Sequence, residues 1–228
     1  MVILELKNVH YTHHNKYNTV KAVDGISVKF EKGRIYAVAG KSGSGKSTLL
    51  SLLSGLDVPD EGQVLYKGSS TAEMDLNEYR KSCAAVIYQD FKLFPLLTVL
   101  ENIMYPMELC KMKEIDAKAI AEELALKVGL SEPLFRRFPA MISGGEQQRV
   151  GIARALTMNR KLLIADEPTG NLDSETGKKI IDILVRLAHE EDCCVIVATH
   201  DTGIMRQTDK TYYIKDGRIE ESPELIEG

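Results

Sequence analysis

One run of small residues and a lysine could hold a negatively charged group. Its glycines let main-chain N–H groups turn inward without a clashing Cβ, and a helix beginning there would present the positive end of its dipole to an anion. The run fits the strand, G-x-x-x-x-G-K-[ST], helix pattern that wraps nucleotide phosphates. A flexible Gly/Ser turn is the alternative interpretation. The candidate phosphate-loop residues are Gly40, Lys41, Ser42, Gly43, Ser44, Gly45, Lys46, Ser47 and Thr48.

Two members of this run would have separate chemical roles. Lys46 would reach the β- and γ-phosphates of a nucleoside triphosphate, and Ser47 would be a ligand of Mg²⁺.

The apolar stretch 162–165 ends in two carboxylates, Asp166 and Glu167, and ligands bind at the carboxyl ends of strands in open α/β sheets. Asp166 would hold the Mg²⁺ shell, and Glu167 would polarise an attacking water as general base. Taken without the phosphate loop, Asp-Glu would be better interpreted as the start of a solvated loop.

A histidine occupies the equivalent position on another apolar run. His200 follows the stretch 193–199, so it would lie at the same edge of the sheet and could reach the γ-phosphate. A lone histidine after a strand is more often incidental. Its candidacy therefore depends on the phosphate loop and the carboxylates.

The pattern of strands and helices should bring these residues together. Short strands are predicted at 3–9, 26–30 and 64–66, with turns at the glycines at 25, 33, 62 and 68. A buried strand at 35–39 leads into the phosphate loop, and a helix follows from Lys46. Strand, helix and strand at 162–165, 174–189 and 193–199 predict a parallel sheet. Asp216-Gly217 predicts a hairpin near the end of the chain.

Between these strands the composition changes towards helix formers. The segment at about 91–158 is expected to be a helical insertion, in which 115–128 shows apolar spacing near 3.6 residues. The whole chain, 1–228, is expected to be a single domain, because one core suffices for this length.

Bulk composition limits the possible partners. A net charge of −4 gives no field that would concentrate a polyanion, so no nucleic acid is expected to bind. The four cysteines lack paired metal-ligand spacing and are expected to be reduced thiols. No run of about 18 apolar residues occurs. A membrane role would therefore come through a partner.

A second glycine pair gives the most specific signal. Residues 142–149, Ile-Ser-Gly-Gly-Glu-Gln-Gln-Arg, resemble the signature motif of the ABC (ATP-binding cassette) ATPases, with Ile142 in place of the usual leucine. The phosphate loop, Gln89, the signature, Asp166-Glu167, the loop Gly170-Asn171-Leu172-Asp173 and His200 follow in the family's order. Residues 165–173 look most like the branch containing lipoprotein-release, macrolide-export and cell-division ATPases.

The resemblance implies a fold and a set of site residues. The fold would be a P-loop NTPase ABC cassette of the α/β class, with a RecA-like parallel-sheet core, an N-terminal antiparallel β subdomain and an inserted helical subdomain. The cofactors would be ATP and Mg²⁺. Gln89 would be a catalytic residue and a metal ligand, and Asp173 would contact nucleotide. Either Tyr11 or His13, both after Val9, would stack on adenine.

The signature itself has a physical interpretation. Ser143 is a suitable N-cap, Gly144 and Gly145 permit close approach, and a helix starting near Glu146 would offer free N–H groups to an anion. One phosphate group cannot easily be wrapped by this loop and by the Lys46 loop of the same chain. The resemblance implies that each signature completes the ATP site of a second copy, giving a head-to-tail dimer around two ATP.

The loop after Gln89 is unusually apolar. Residues 90–99 carry more apolar side chain than a surface loop needs, which could reflect ordinary packing of the inserted helices. By resemblance, a separate transmembrane permease docks there, which would place the chain at the cytoplasmic face of the membrane. The expected function is ATP hydrolysis that drives such a permease, for export or extraction of a lipophilic or peptide-like substrate. Alternatives are an ATPase that powers mechanotransmission or sensing, a nucleic-acid or ribosome-associated ABC ATPase, and a catalytically silent binding module.

Overall fold

A computed structural model describes residues 1–14 and 19–220 of the chain. The strands are β1 (Val2–His14), β2 (Thr19–Glu31), β3 (Arg34–Ala39), β4 (Glu61–Tyr66), β5 (Ser69–Ser70), β6 (Ala84–Ile87), β7 (Leu162–Asp166), β8 (Cys194–Thr199), β9 (Lys210–Lys215) and β10 (Arg218–Glu220). The helices are α1 (Lys46–Ser54), α2 (Leu76–Ser82), α3 (Val99–Leu109), α4 (Glu114–Lys127), α5 (Gly144–Leu156), α6 (Ser174–His189) and α7 (Thr202–Met205).

Two sheets form the frame of the molecule. The larger has six strands in the order β10-β9-β3-β8-β7-β6, in which the five strands from β9 to β6 are parallel while β10 pairs antiparallel with β9. The smaller is antiparallel, in the order β2-β1-β4-β5. Helices α3, α4 and α5 lie between β6 and β7 in sequence. The predicted α/β fold, with a parallel-sheet core, an N-terminal antiparallel sheet and an inserted set of helices, is confirmed.

Side chains of the parallel strands point alternately to the two faces of the sheet, and each face has its own hydrophobic core. In β7 and β8, Leu163 and Val195 belong to the cluster that packs on α3 to α6, whereas Ile164 and Ile196 belong to the cluster that packs on α1 and the antiparallel sheet. Because successive side chains of a strand point to opposite faces, continuous apolar runs bury both faces of the sheet. The rigid sheet therefore fixes the carboxyl ends of β3, β7 and β8 side by side.

Most predicted elements are found, and the differences lie mainly in the N-terminal half of the chain. The N-terminal strands are longer than expected, and Gly25 and Gly62 lie inside β2 and β4, so the prediction that they form turns is wrong. They have φ values of 73° and 82°, and the pairing register of β1 with β2 and β4 shifts nearby, which is typical of β-bulges. Strand β6 and helix α2 were not predicted, and α5 begins at Gly144, slightly before the expected start.

Within the described residues, no helix combines the length and apolar character required to cross a bilayer.

Candidate functional site

A cavity of about 980 Å³ opens at the carboxyl ends of the parallel strands. The predicted residues that line it are His13, Lys41, Ser42, Gly43, Ser44, Gly45, Lys46, Ser47, Thr48, Gln89, Asp166, Glu167 and His200. Strands β3, β7 and β8 deliver the phosphate loop, the two carboxylates and the histidine to this edge. Residues separated by more than a hundred positions in the sequence thus share one site.

The phosphate loop is held in shape by close main-chain approach. Gly45 has φ of 107°, and a Cβ there would lie 2.2 Å from the main-chain oxygen of Ala22. A Cβ at Gly40 would lie 2.4 Å from the oxygen of Ile214. Neither position admits a side chain, because both distances are shorter than any real Cβ contact. The pattern requires glycine at 40 and 45 for this reason.

The loop also presents polar groups suited to an anion. Lys46 is 8% exposed, and its Nζ donates to the carbonyls of Gly40 at 2.7 Å and Lys41 at 3.1 Å. The buried Ser44 hydroxyl has no hydrogen-bond partner among residues 1–14 and 19–220. Helix α1 begins directly after Gly45. Because glycine has no side chain that could cap the helix, the first N–H groups of α1 are left free. A phosphate would satisfy all of these donors.

The Asp166 carboxyl lies beside Ser47 and Glu167. Burial raises its pKa above the ordinary aspartate value, a hydrogen bond from Ser47 opposes that shift, and the charge of Glu167 adds to it. A cation paired with the carboxylate would offset the cost of keeping Asp166 ionised in this buried position. Within the part of the chain that is described, no three His, Cys, Asp or Glu side chains converge as a metal cluster. Asp166, Ser47 and Gln89 instead supply a few oxygen donors, which suits Mg²⁺ shared with phosphate oxygens.

Glu167 and His200 form a direct pair. Nδ1 of His200 lies 2.9 Å from one Glu167 carboxylate oxygen and 3.0 Å from the other. The main-chain N–H of Glu167 donates to Ala198 at 3.0 Å, and Glu167 adopts φ of 46°, which is uncommon for a residue with a side chain. This conformation turns the carboxylate out of the strand and towards the cavity.

The two adenine-stacking candidates have different surroundings. His13 is exposed, lines the cavity and bonds through Nε2 to the Thr48 hydroxyl at 3.0 Å. Tyr11 packs against the core and does not line the cavity, and burial followed by the charge of Asp57 raises its pKa. The two rings meet edge to face at 5.1 Å. Tyr11 therefore supports His13 from outside the cavity.

The signature residues lie at the start of α5, away from the phosphate loop. Ser143 and Glu146 form a capping box, in which the Ser143 N–H donates to Glu146 at 2.7 Å and the Ser143 hydroxyl accepts from the Glu146 N–H at 3.3 Å. Ser143 and Gly145 border a separate cavity of about 760 Å³. Asp173 caps α6 by accepting from Thr176 at 3.0 Å. Neither the signature nor Asp173 is among the residues that line the phosphate-loop cavity.

The loop after Gln89 is both anchored and exposed. Phe91 and Lys92 have φ of 59° and 46°, and Arg154 donates to their carbonyls at 3.0 and 2.8 Å. Phe94 packs on Tyr105 with ring centroids 4.4 Å apart, as expected for packing against the inserted helices. Other apolar surface remains open, because Leu96 is 87% exposed and a groove of about 360 Å³ lies beside Phe94.

Sequence reasoning missed part of the cavity wall. Lys21, Ala22, Asp216 and Gly217 also line it. Asp216-Gly217 was predicted only as a hairpin turn, and nothing in the local sequence places that turn against the phosphate loop. Asn171 was noted within a motif, but its contact with Gln89 was not foreseen.

Known proteins share this architecture over nearly their full length. Residues 23–170 match the family model "ABC transporter". The ABC transporter ATP-binding protein YclH of Bacillus subtilis (strain 168) is 40% identical over 209 residues, which are 92% of each chain. The lipoprotein-releasing system ATP-binding protein LolD of Syntrophus aciditrophicus (strain SB) is 37% identical over 95% of this chain and 98% of its own. The dimeric post-hydrolysis structure of the ATP-binding cassette MJ0796, bound to ADP and Pi, has a TM-score of 0.89 and 35% identity over 99% of this chain and 100% of its own. MJ0796 is a protein of Methanocaldococcus jannaschii.

Proposed function

Because the chain belongs to the ABC transporter family as an ATP-hydrolysing ATP-binding subunit, we propose how its residues perform that task. Two copies close head-to-tail around two ATP and drive a separate transmembrane permease. The permease exports or extracts a lipophilic or peptide-like substrate, and holds the ATPase at the cytoplasmic face of the membrane. The likeness to lipoprotein-releasing proteins supports the substrate class.

Nucleotide binding begins at the phosphate loop. Lys46 leaves the carbonyls of Gly40 and Lys41, which it holds at 2.7 and 3.1 Å, and pairs with the β- and γ-phosphates. The N–H groups of the loop and the Ser44 hydroxyl surround the same oxygens. Exposed His13 lies against the adenine, since it borders the cavity and Tyr11 does not. These contacts orient the triphosphate towards the ends of β7 and β8.

Hydrolysis uses the two carboxylates differently. Ser47, Asp166 and the Gln89 side chain would hold Mg²⁺, which when bound neutralises charge on the β- and γ-phosphates. Glu167 accepts the proton of the attacking water, and His200, 2.9 Å away, holds that carboxylate in place and reaches the γ-phosphate. Losing such a base typically costs two to four powers of ten in rate, or about 3–5 kcal/mol of barrier.

Dimerisation follows from the separation of the two anion-binding loops. Ser143 and Gly145 border one cavity while Lys46 lies in another, so a single chain leaves its signature without a phosphate to contact. In a two-fold dimer, each signature contacts a phosphate of the ATP that is bound by the other copy, so both signatures have a phosphate partner. The known dimeric cassette structure supports this arrangement. Loss of the γ-phosphate on hydrolysis then loosens the dimer.

The permease contact is proposed at the groove beside Phe94. Its wall includes Leu56, Tyr88 and Tyr105, and Leu96 stands exposed nearby. Arg154 ties this loop to α5, the signature helix. Gln89 lines the nucleotide cavity and its neighbour Tyr88 lines this groove, so movement of Gln89 displaces the surface that a permease would touch.

The observation that carries the proposal is the convergence of Lys46, Asp166, Glu167 and His200 in one cavity. The test is Glu167→Gln, which should lower phosphate release at least a hundredfold while ATP and Mg²⁺ still convert the protein to a dimer, measured by light scattering after size exclusion. The matched control, Glu190→Gln, changes an exposed glutamate at the end of α6 and should behave as the parent. Parental hydrolysis by Glu167→Gln, or a Glu167→Gln protein that stays monomeric with ATP, would contradict the proposal.

A further inference from the structure

Two amide side chains hold each other at the edge of the nucleotide cavity. Nε2 of Gln89 donates to Oδ1 of Asn171 at 3.4 Å, and Nδ2 of Asn171 donates to the main-chain oxygen of Gln89 at 3.2 Å. Gly170 fits tightly against the same group, since a Cβ there would lie 2.8 Å from Gln89 Nε2. The Gln89 side chain is therefore held from one side by the turn between β7 and α6.

This pair has only one consistent amide orientation. The main-chain carbonyl of Gln89 can only accept, so the NH₂ end of Asn171 must face it. That leaves the oxygen of Asn171 facing the Gln89 side chain, and an oxygen accepts only from the NH₂ end of an amide. Oε1 of Gln89 is consequently the end that the pair leaves free.

The free end is the one that a hard cation requires. Mg²⁺ binds carbonyl and carboxylate oxygens and is not bound by an amide nitrogen. Gln89 lines the same cavity as Ser47 and Asp166, the other two oxygen donors assigned to the cation. A reversed Gln89 amide would present NH₂ to the cation and could not serve as a ligand.

We propose that Asn171 is a positioning residue that orients the Gln89 amide so that its oxygen faces the metal and its nitrogen faces Asn171. This inference rests on the metal role of Gln89 proposed above. Asn171 itself is not among the residues that line the nucleotide cavity. Without it, the hydrogen bonds that decide which end of the Gln89 amide faces the metal are lost, and with them the advantage of being already oriented.

The test measures how much Mg²⁺ strengthens nucleotide binding, by fluorescence titration of mant-AMPPNP with Mg²⁺ and with EDTA. In the parent, Mg²⁺ should tighten binding. In Asn171→Ala that gain should shrink by about three- to tenfold, as expected for one lost hydrogen bond, while affinity in EDTA stays at the parental value and shows that the phosphate loop is intact. The control, Asn77→Ala, removes an exposed amide that bonds to Arg80 on α2 and should match the parent.

A double-variant cycle separates positioning from a general structural effect. If Asn171 acts through Gln89, adding Asn171→Ala to Gln89→Ala should cause no further loss of the Mg²⁺ gain. A full parental gain in Asn171→Ala, or an undiminished extra loss in the Gln89→Ala background, overturns the inference and leaves the proposed function standing. A parent whose affinity does not respond to Mg²⁺ overturns the metal role and this inference together.

Discussion

The contact between the first turns of α5 and α6 can be tested by adding a single carbon. Gly145 lies in the first turn of α5, and a Cβ there would lie 2.3 Å from Cγ2 of Thr176 in the first turn of α6. At the neighbouring Gly144 the nearest atoms would be Cδ2 of Leu172 at 3.3 Å and Cζ of Phe91 at 3.6 Å. The two glycines thus differ in how much room surrounds them.

The size of the effect follows from two opposing contributions. Overpacking typically costs about 1–3 kcal/mol, and alanine gains about 0.5–1 kcal/mol over glycine in a helix. A contact as short as 2.3 Å puts Gly145→Ala in the upper part of the overpacking range, about 2–3 kcal/mol. The net loss is therefore about 1–2.5 kcal/mol, which for a chain of this length lowers Tm by about 2–10 °C at 2–4 °C per kcal/mol. Gly144→Ala should change Tm by no more than about 2 °C, because its contacts are only slightly tight and the helix gain offsets them.

A second-site change makes the prediction specific. Thr176→Ser removes Cγ2, the atom that clashes, and keeps the hydroxyl that bonds to Asp173. Thermal unfolding followed by circular dichroism without nucleotide should show Gly145→Ala below the parent, and Gly145→Ala/Thr176→Ser at least halfway restored. A double variant no more stable than Gly145→Ala, or a Gly145→Ala protein as stable as Gly144→Ala, would refute the reasoning.

Two further predictions concern the stability of the fold. Gln148 is fully buried, and its amide finds no hydrogen-bond partner in the described part of the chain, so Gln148→Met should raise the free energy of unfolding by about 1–2 kcal/mol in urea titrations. Gln147, which donates to a main-chain carbonyl, is the matched control, and a loss of stability in Gln148→Met would contradict the prediction. Hydrogen bonds from Lys21 and then Arg218 lower the pKa of Asp24 to about 2. Because that pKa is depressed, Asp24 stabilises the fold above about pH 4 and loses this contribution as pH falls towards 2. Asp24→Asn should lack that part of the acid transition, and a transition identical to that of the parent would argue against it.

Elements with strong local signals could be predicted from the sequence. Helix α6 has the predicted bounds, because Asp173 caps its first turn and its apolar residues recur at helical spacing. Strand β3 was found as an uninterrupted apolar run that ends at glycine. The final hairpin was found from Asp216-Gly217, both of which have positive φ.

Features fixed by distant partners could not be predicted. Strand β6 has only four residues, and what makes it a strand is its pairing with β7, which lies beyond the helical insertion. Gly25 and Gly62 resemble turn glycines locally, and only the pairing of β1 with both strands places them inside the sheet. The choice between Tyr11 and His13 depends on Asp57 and Thr48, which no spacing rule connects to β1.

The hairpin turn at Gly217 also sets when the site can form during protein synthesis. Its N–H donates to the Ser44 carbonyl at 3.1 Å, and its own carbonyl accepts from Asp24 at 2.8 Å, so it completes one wall of the phosphate loop. A ribosome adding about 5–20 residues per second makes Gly217 roughly 9–35 s after Ser44. The nascent chain therefore carries the whole phosphate-binding sequence well before Gly217 is available to form the hydrogen bond with Ser44. Cellular ATP therefore meets the finished phosphate site only once Gly217 has left the ribosome.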